Sequence, residues 1–161
     1  MIIRFELSER SVTLDSLSPY DMGHIEVVGA LDSASSKGRI LDQAMMIFPS
    51  ITHLLDGLRT LVVQHGRCVF EFGGIDCSFT LRFEKGKDRR IRMREGKRVL
   101  DVSPTLKLCE TVLTEASRFV REHRHRLPDA DSVALDLDTS LVDFERFVSA
   151  LRCLEAGKGD I

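Results

Sequence analysis

Tryptophan is absent from the sequence, tyrosine occurs once, and proline and cysteine occur four times each in 161 residues. The cysteines, Cys68, Cys77, Cys109 and Cys153, form no C-x-x-C pair and stand 9, 32 and 44 residues apart. A secreted disulfide scaffold would be shorter and denser in cysteine. These four therefore read as reduced thiols acting as small core hydrophobes, with a zinc site as the weaker alternative. Cys109 and Cys153 are expected on apolar helix stripes, Cys68 and Cys77 in strand-like runs. No apolar run approaches the ~20 residues that span a bilayer. The opening MIIRFELSER lacks the apolar core and small-residue cleavage site of a signal peptide. A cytoplasmic protein without membrane contact is expected.

Catalytic signatures are missing as well: there is no G-x-S-x-G, G-x-x-x-x-G-K, H-E-x-x-H or G-x-G-x-x-G. Gly73-Gly74 has strand-like flanks on both sides, which makes it a hairpin turn, because a phosphate cradle should open a helix. Asp76 and Cys77 lie beside that turn without the nearby cation that a reactive thiolate requires. In REHRHR, a helix would point His123 and His125 about 200° apart, so they could not share a metal. His53 and His65 have no evident acid partner in sequence. No catalytic residue, metal or cofactor is expected. An enzyme of unrecognised type would need a deep pocket with convergent titratable groups.

What is present is a core. Hydrophobic residues make up 43% of the chain against 30% charged, and the net charge is −2. That balance excludes disorder, and the length suits one domain, expected over residues 1–156 with a frayed tail at 157–161. Ile3, Phe5 and Leu7 alternate with Arg4 and Glu6, the period of a half-buried strand. A second strand is expected over His24–Leu31, a small polar loop over Asp32–Gly38, and a third apolar run, pairing with the second, over Arg39–Phe48. Ile51, Leu54, Leu55, Leu58, Leu61 and Val62 then recur at helical spacing, predicting a helix over about 50–65. Gly66 sits where a left-handed cap is expected, and Gly57 weakens the helix slightly.

Alternation returns in Cys68–Phe72, Phe79–Phe83 and Ile91–Met93, succeeded by Val99–Val102, with hairpin-length turns between. Ser103-Pro104 reads as a helix start, with Ser as N-cap and Pro at the first position. The helix opened there is expected to run to about Arg126 through Leu106, Cys109, Val112, Ala116 and Phe119. Ser132–Leu137 reads as a short strand or extended connector, and a last helix from Thr139 or Ser140 should bury Leu141, Phe144, Val148, Leu151 and Leu154. The fold class is α+β: an antiparallel meander sheet with about three amphipathic helices packed on one face. The short connections between strands exclude Rossmann-type crossovers.

Charge is unevenly distributed. Between Lys85 and Arg98 eight basic residues face Asp88 and Glu95, a surplus of +6 in 14 residues. Strand periodicity puts Arg90, Arg92 and Arg94 in a row on the solvent side. The row reads as a charged, soluble edge hairpin or as a stripe that recognises an anionic partner. From Asp129 to Glu145 there are six acids and no Lys or Arg. Acids at a helix N-terminus account for Asp138 and Asp143, leaving Asp129, Asp131 and Asp136 for steering a basic partner.

The order of elements resembles small bacterial immunity-type proteins, antidotes to polymorphic toxins. The resemblance is one of layout, carried by FEFGGIDCSFTLRFEKG, the Ile91/Met93 strand and VSPTLKLCETVLTEASRFV, over about residues 50–125. It implies a non-catalytic protein that binds and occludes a toxin domain, and it assigns no residue. The expected site is Asp129, Asp131, Asp136, Asp138 and Asp143 for a basic partner such as a nuclease toxin, or Arg90, Arg92 and Arg94 for an acidic one. A nucleic-acid-binding or regulatory module using the 85–98 hairpin is the alternative, weakened by the absence of exposed aromatics to stack bases. The sequence leaves the oligomeric state open.

Overall fold

The computed structural model describes residues 1–38 and 43–157. Its strands divide between two antiparallel sheets of four. In the first, β1 (Ile2–Leu7) pairs with β2 (Met22–Val28), which also carries the short β3 (Ser33–Ser35) and β4 (Met45–Met46). The second is the expected meander, β5 (Cys68–Gly73), β6 (Thr80–Lys85), β7 (Arg90–Glu95) and β8 (Arg98–Pro104), in sequence order. The fold class is α+β. Part of the expected third run, Arg39–Asp42, lies outside the described residues, as does 158–161 of the expected tail. The rest of that run holds only the two-residue β4 before helix begins at Ile47.

Among the described residues there are four α-helices, α1 (Glu9–Val12), α2 (Ile47–Val63), α3 (Thr105–His123) and α4 (Ser132–Ala156), and a 3-10 turn at Arg124–Arg126. Helix α2 begins three residues earlier than its spacing suggests, because Pro49 fits inside the first turn, where backbone N–H groups have no partner. It lies under β5, and α3 reaches both β1 of the first sheet and β7–β8 of the second. Phe5 of β1 and Phe48 of α2 meet Phe119 of α3 at ring distances of 6.1 and 5.7 Å. Gly57, which looked like a flaw in α2, makes room for the Phe70 ring: a Cβ there would stand 2.0 Å from it.

Two further helix starts differ from expectation. Ser103 and Pro104 belong to β8, and α3 begins at Thr105; the Ser103 hydroxyl donates to the buried Asp101 carboxylate instead of capping a helix. Ser132–Leu137 is helix, not strand. Asp131 is the N-cap of α4, its Oδ1 accepting from the amides of Val133 at 2.8 Å and Ala134 at 3.2 Å. Helical spacing then buries Ala134, Leu137, Ser140, Phe144 and Val148 and leaves Leu135, Cys153 and Leu154 exposed. α4 packs chiefly on α2 and α3, as a layer beyond the helices that cover the sheets.

The sheets are joined where the β2–β3 turn meets the outer edge of β8. The amides of Leu31 and Asp32 donate to Leu100 O, Ala30 N–H donates to Asp101, and Arg98 bonds Asp32 at 3.0 Å and the Ser33 carbonyl. This junction requires glycine at position 29, since a Cβ would stand 2.0 Å from the Leu100 oxygen.

Candidate functional site

Two charged surfaces were expected, and the structure builds them differently. On β7, Ile91 and Met93 enter the core while Arg90, Arg92 and Arg94 stand on the outer face of the second sheet. The register places Arg92 between Glu84 of β6 and Val102 of β8, and Arg94 between Arg82 and Val99. Glu84 lies 3.7 Å from both Arg92 and Arg94 and 2.9 Å from Arg82, which also bonds Glu71 at 2.7 Å. Arg90 donates to Val102 O at 2.6 Å, and Arg94 to Lys97 O at 3.1 Å. Arg94 Nε is buried with no acceptor among the described residues. Half-exposed Val69, Val99 and Val102 lie among these charges.

A groove of about 590 Å³ crosses this face beside the β6–β7 turn, lined by Arg67, Lys87, Arg90 and Arg92 against Glu84 and Asp88. Among the described residues, Arg67, Lys87 and Arg89 have no ion-pair partner. Other cations of the hairpin are engaged in holding the fold. Lys85 turns inward and donates to the carbonyls of Val62, at 2.6 Å, and Gln64, ending α2. Arg98 is held by Asp32 and Glu95, which together keep its guanidinium more firmly protonated than usual.

The acids do not form one cluster. Both Asp136 and Asp138 lie within α4, where residues two apart diverge by about 200°, so they point to different sides. Asp138 accepts from Arg124 Nε at 2.9 Å, and Asp129 lies 3.8 Å from the same guanidinium. Asp143 pairs with Arg59 at 3.0 Å and with Arg146 at 3.7 Å. Asp131 is occupied as the N-cap. Asp136 is exposed, with no ion pair among the described residues. No ion pair among the described residues joins this region to the arginine row.

A second hollow, about 620 Å³, lies between β1 and α3. Three of its titratable groups form one network. Glu115 accepts from Phe5 N at 2.9 Å and from Arg118, and Arg118 also bonds Glu122 and donates to Phe5 O at 3.0 Å. Sequence reading missed this carboxylate, although its position on the buried stripe between Val112 and Phe119 is a readable signal of a buried acid. His123 packs edge-on against Phe119 at 4.6 Å; burial, then Arg126, hold it below its ordinary protonation range.

Neither Cys77 nor Cys109 is an activated thiol. Burial pushes Cys109 up to about 12, and burial with Asp76 raises Cys77, which lies in the β5–β6 connection instead of a strand. The left-handed residue of that connection is Asp76, at φ 64°, and neither Gly73 nor Gly74 supplies a positive φ. Among the described residues no group of three His, Cys, Asp or Glu is placed to hold a metal ion, and no helix is long and apolar enough to cross a membrane. Comparison with family models, with curated proteins and with solved structures finds no match to this chain.

Proposed function

We propose that the chain is a non-catalytic protein-binding module that docks an acidic surface of a partner on the outer face of its second sheet and blocks that surface by occlusion. In the immunity-type reading that its layout resembles, the partner is a bacterial toxin domain met in the cytoplasm. The carrying observation is the solvent face itself, where Arg90, Arg92 and Arg94 stand with Val69, Val99 and Val102 over a rigid meander. Arginine is enriched at protein interfaces, and the half-exposed valines add apolar surface that a partner would cover. The acidic candidates weigh less, because Asp129, Asp131, Asp138 and Asp143 are matched by capping or by local arginines. Four unpaired cysteines suit a reducing compartment.

The alternative, a nucleic-acid-binding module, draws on the groove cations Arg67, Lys87, Arg90 and Arg92. Glu71 and Glu84 within the same face would repel phosphates, which favours a protein partner with charges of both signs. Affinity capture from the native host, using the chain and its Arg90→Glu/Arg92→Glu variant, tests the proposal. A discrete protein held by the parent chain and lost by the folded variant supports it. Equal retention by both overturns it, and nuclease-sensitive binding that collapses with added salt transfers the face to nucleic acid.

A further inference from the structure

Three of the long strand edges meet different fates. The outer edge of β1 is closed at Phe5 by Glu115 and Arg118, and that of β8 by the β2–β3 turn. Among the described residues the outer edge of β5 is open: its one sheet neighbour is β6, and nothing bonds the backbone on its other side. Gly74 N–H donates to Phe79 O, so the bonded pairs with β6 fall at Phe72, Phe70 and Cys68. The N–H and C=O groups of Val69, Glu71 and Gly73 must then point away from β6. Natural edges are usually blunted by lysine, proline or a bulge; CVFEFG has none of these.

We infer that β5 pairs antiparallel with β5 of a second copy of this chain, with the two-fold axis at Phe70. The outward groups admit two-fold axes at residues 69, 70 and 71, and the axis at Phe70 is the one that also sets the two half-buried Phe70 side chains opposite each other. Val69 then exchanges both hydrogen bonds with Glu71 of the other copy, and Arg67 lies opposite Gly73. On the outer face Arg67 then stands diagonal to the partner copy's Glu71, within reach of a long side chain. Arg67 has no acid partner of its own among the described residues, and Glu71 is 67% exposed, with Oε2 unused by Arg82. Gly73 leaves the space beside Arg67 empty. On the inner face the two Phe70 rings meet at the axis, in the non-hydrogen-bonded pair where side chains approach most closely. Beside Phe70 lies a hollow of about 230 Å³ between α2 and β5, lined by Gly57, Thr60, Leu61 and Gln64. The assembly is one continuous sheet whose two cationic faces lie side by side. It does not depend on the function proposed above.

The test is sedimentation of the full chain from micromolar to submillimolar concentration. A monomer–dimer equilibrium is expected. Arg67→Glu alone and Glu71→Arg alone each set like charges across the axis and should weaken the dimer by roughly tenfold or more. Mixing the two variants restores opposite charges in both contacts and should regenerate a heterodimer at near-parental affinity. Val69→Pro removes an outward N–H, which an edge strand tolerates, and should leave a folded monomer. A chain that stays monomeric throughout overturns the inference, as does a dimer unmoved by either charge variant. A monomer that loses a foreign partner on Val69→Pro also overturns it and gives the edge to a foreign strand. Should Val69→Pro fail to fold, the charge pair alone decides.

Discussion

Glu115 of α3 reaches across to β1 and accepts the backbone N–H of Phe5 at 2.9 Å, while Arg118, one helical turn on, donates to the carbonyl of the same residue. Two side chains thus supply the donor and acceptor that a neighbouring strand would have offered. Glu115 is 9% exposed, so removing it strands a buried amide and takes from Arg118 one of its two carboxylate partners. Glu115→Ala should cost about 2–3 kcal/mol in urea unfolding. Glu115→Gln should cost less, and a double-mutant cycle with Arg118→Ala should show coupling of about 1 kcal/mol or more.

Gly29 and Gly73 offer a matched comparison. A Cβ at 29 meets the Leu100 carbonyl, whereas at 73 it meets nothing within 4 Å. Gly29→Ala should destabilise by about 2–3 kcal/mol. Gly73→Ala should remain within about 0.5 kcal/mol of the parent. Equal melting temperatures for the two variants would contradict the junction between the sheets.

Lys85 and Arg92 belong to the same basic ribbon and do different work. Lys85→Met withdraws the ammonium from the last carbonyls of α2 and should cost about 1–2 kcal/mol. Arg92→Glu changes an exposed side chain 3.7 Å from Glu84 and should shift stability by no more than about 0.5–1 kcal/mol. Chemical denaturation of both variants side by side distinguishes structural from surface charge.

His123 imposes a pH dependence. Burial against Phe119, with Arg126, Arg118 and His125 nearby and only Glu122 opposing, holds its folded-state pKa below the ordinary 6.5. As pH falls through that ordinary value, the unfolded chain takes up the proton first. The stability that neutral His123 contributes is therefore complete above about 6.5 and is lost as pH drops toward the folded pKa. His123→Gln should flatten the change in midpoint denaturant concentration over this window. An unchanged slope would place the acid sensitivity elsewhere.

Periodicity in the sequence was enough for the meander, α2 and α3, because each buries one continuous stripe or face, as in Leu81 and Phe83 of β6. The start of α4 was misread for a physical reason. Val133, Leu135 and Leu137 alternate like a strand, yet the packed residues are Ala134 and Leu137, and alanine is too small to announce a buried face. The way the two sheets meet was not legible either, since their seam is made by long-range bonds such as Leu31 to Leu100. At the charged surfaces, sequence located the arginine row on its strand face. It could not show that Arg124 lies beside Asp138, or that Lys85 points inward.

The contact between the β2–β3 turn and β8 also makes the chain report on its own cohesion. The amide protons of Ala30, Leu31 and Asp32 are each held by an acceptor on β8. Their exchange with deuterated solvent therefore tracks the seam itself: faster loss there than at the centre of either sheet would mean that the two halves part before the molecule as a whole comes undone.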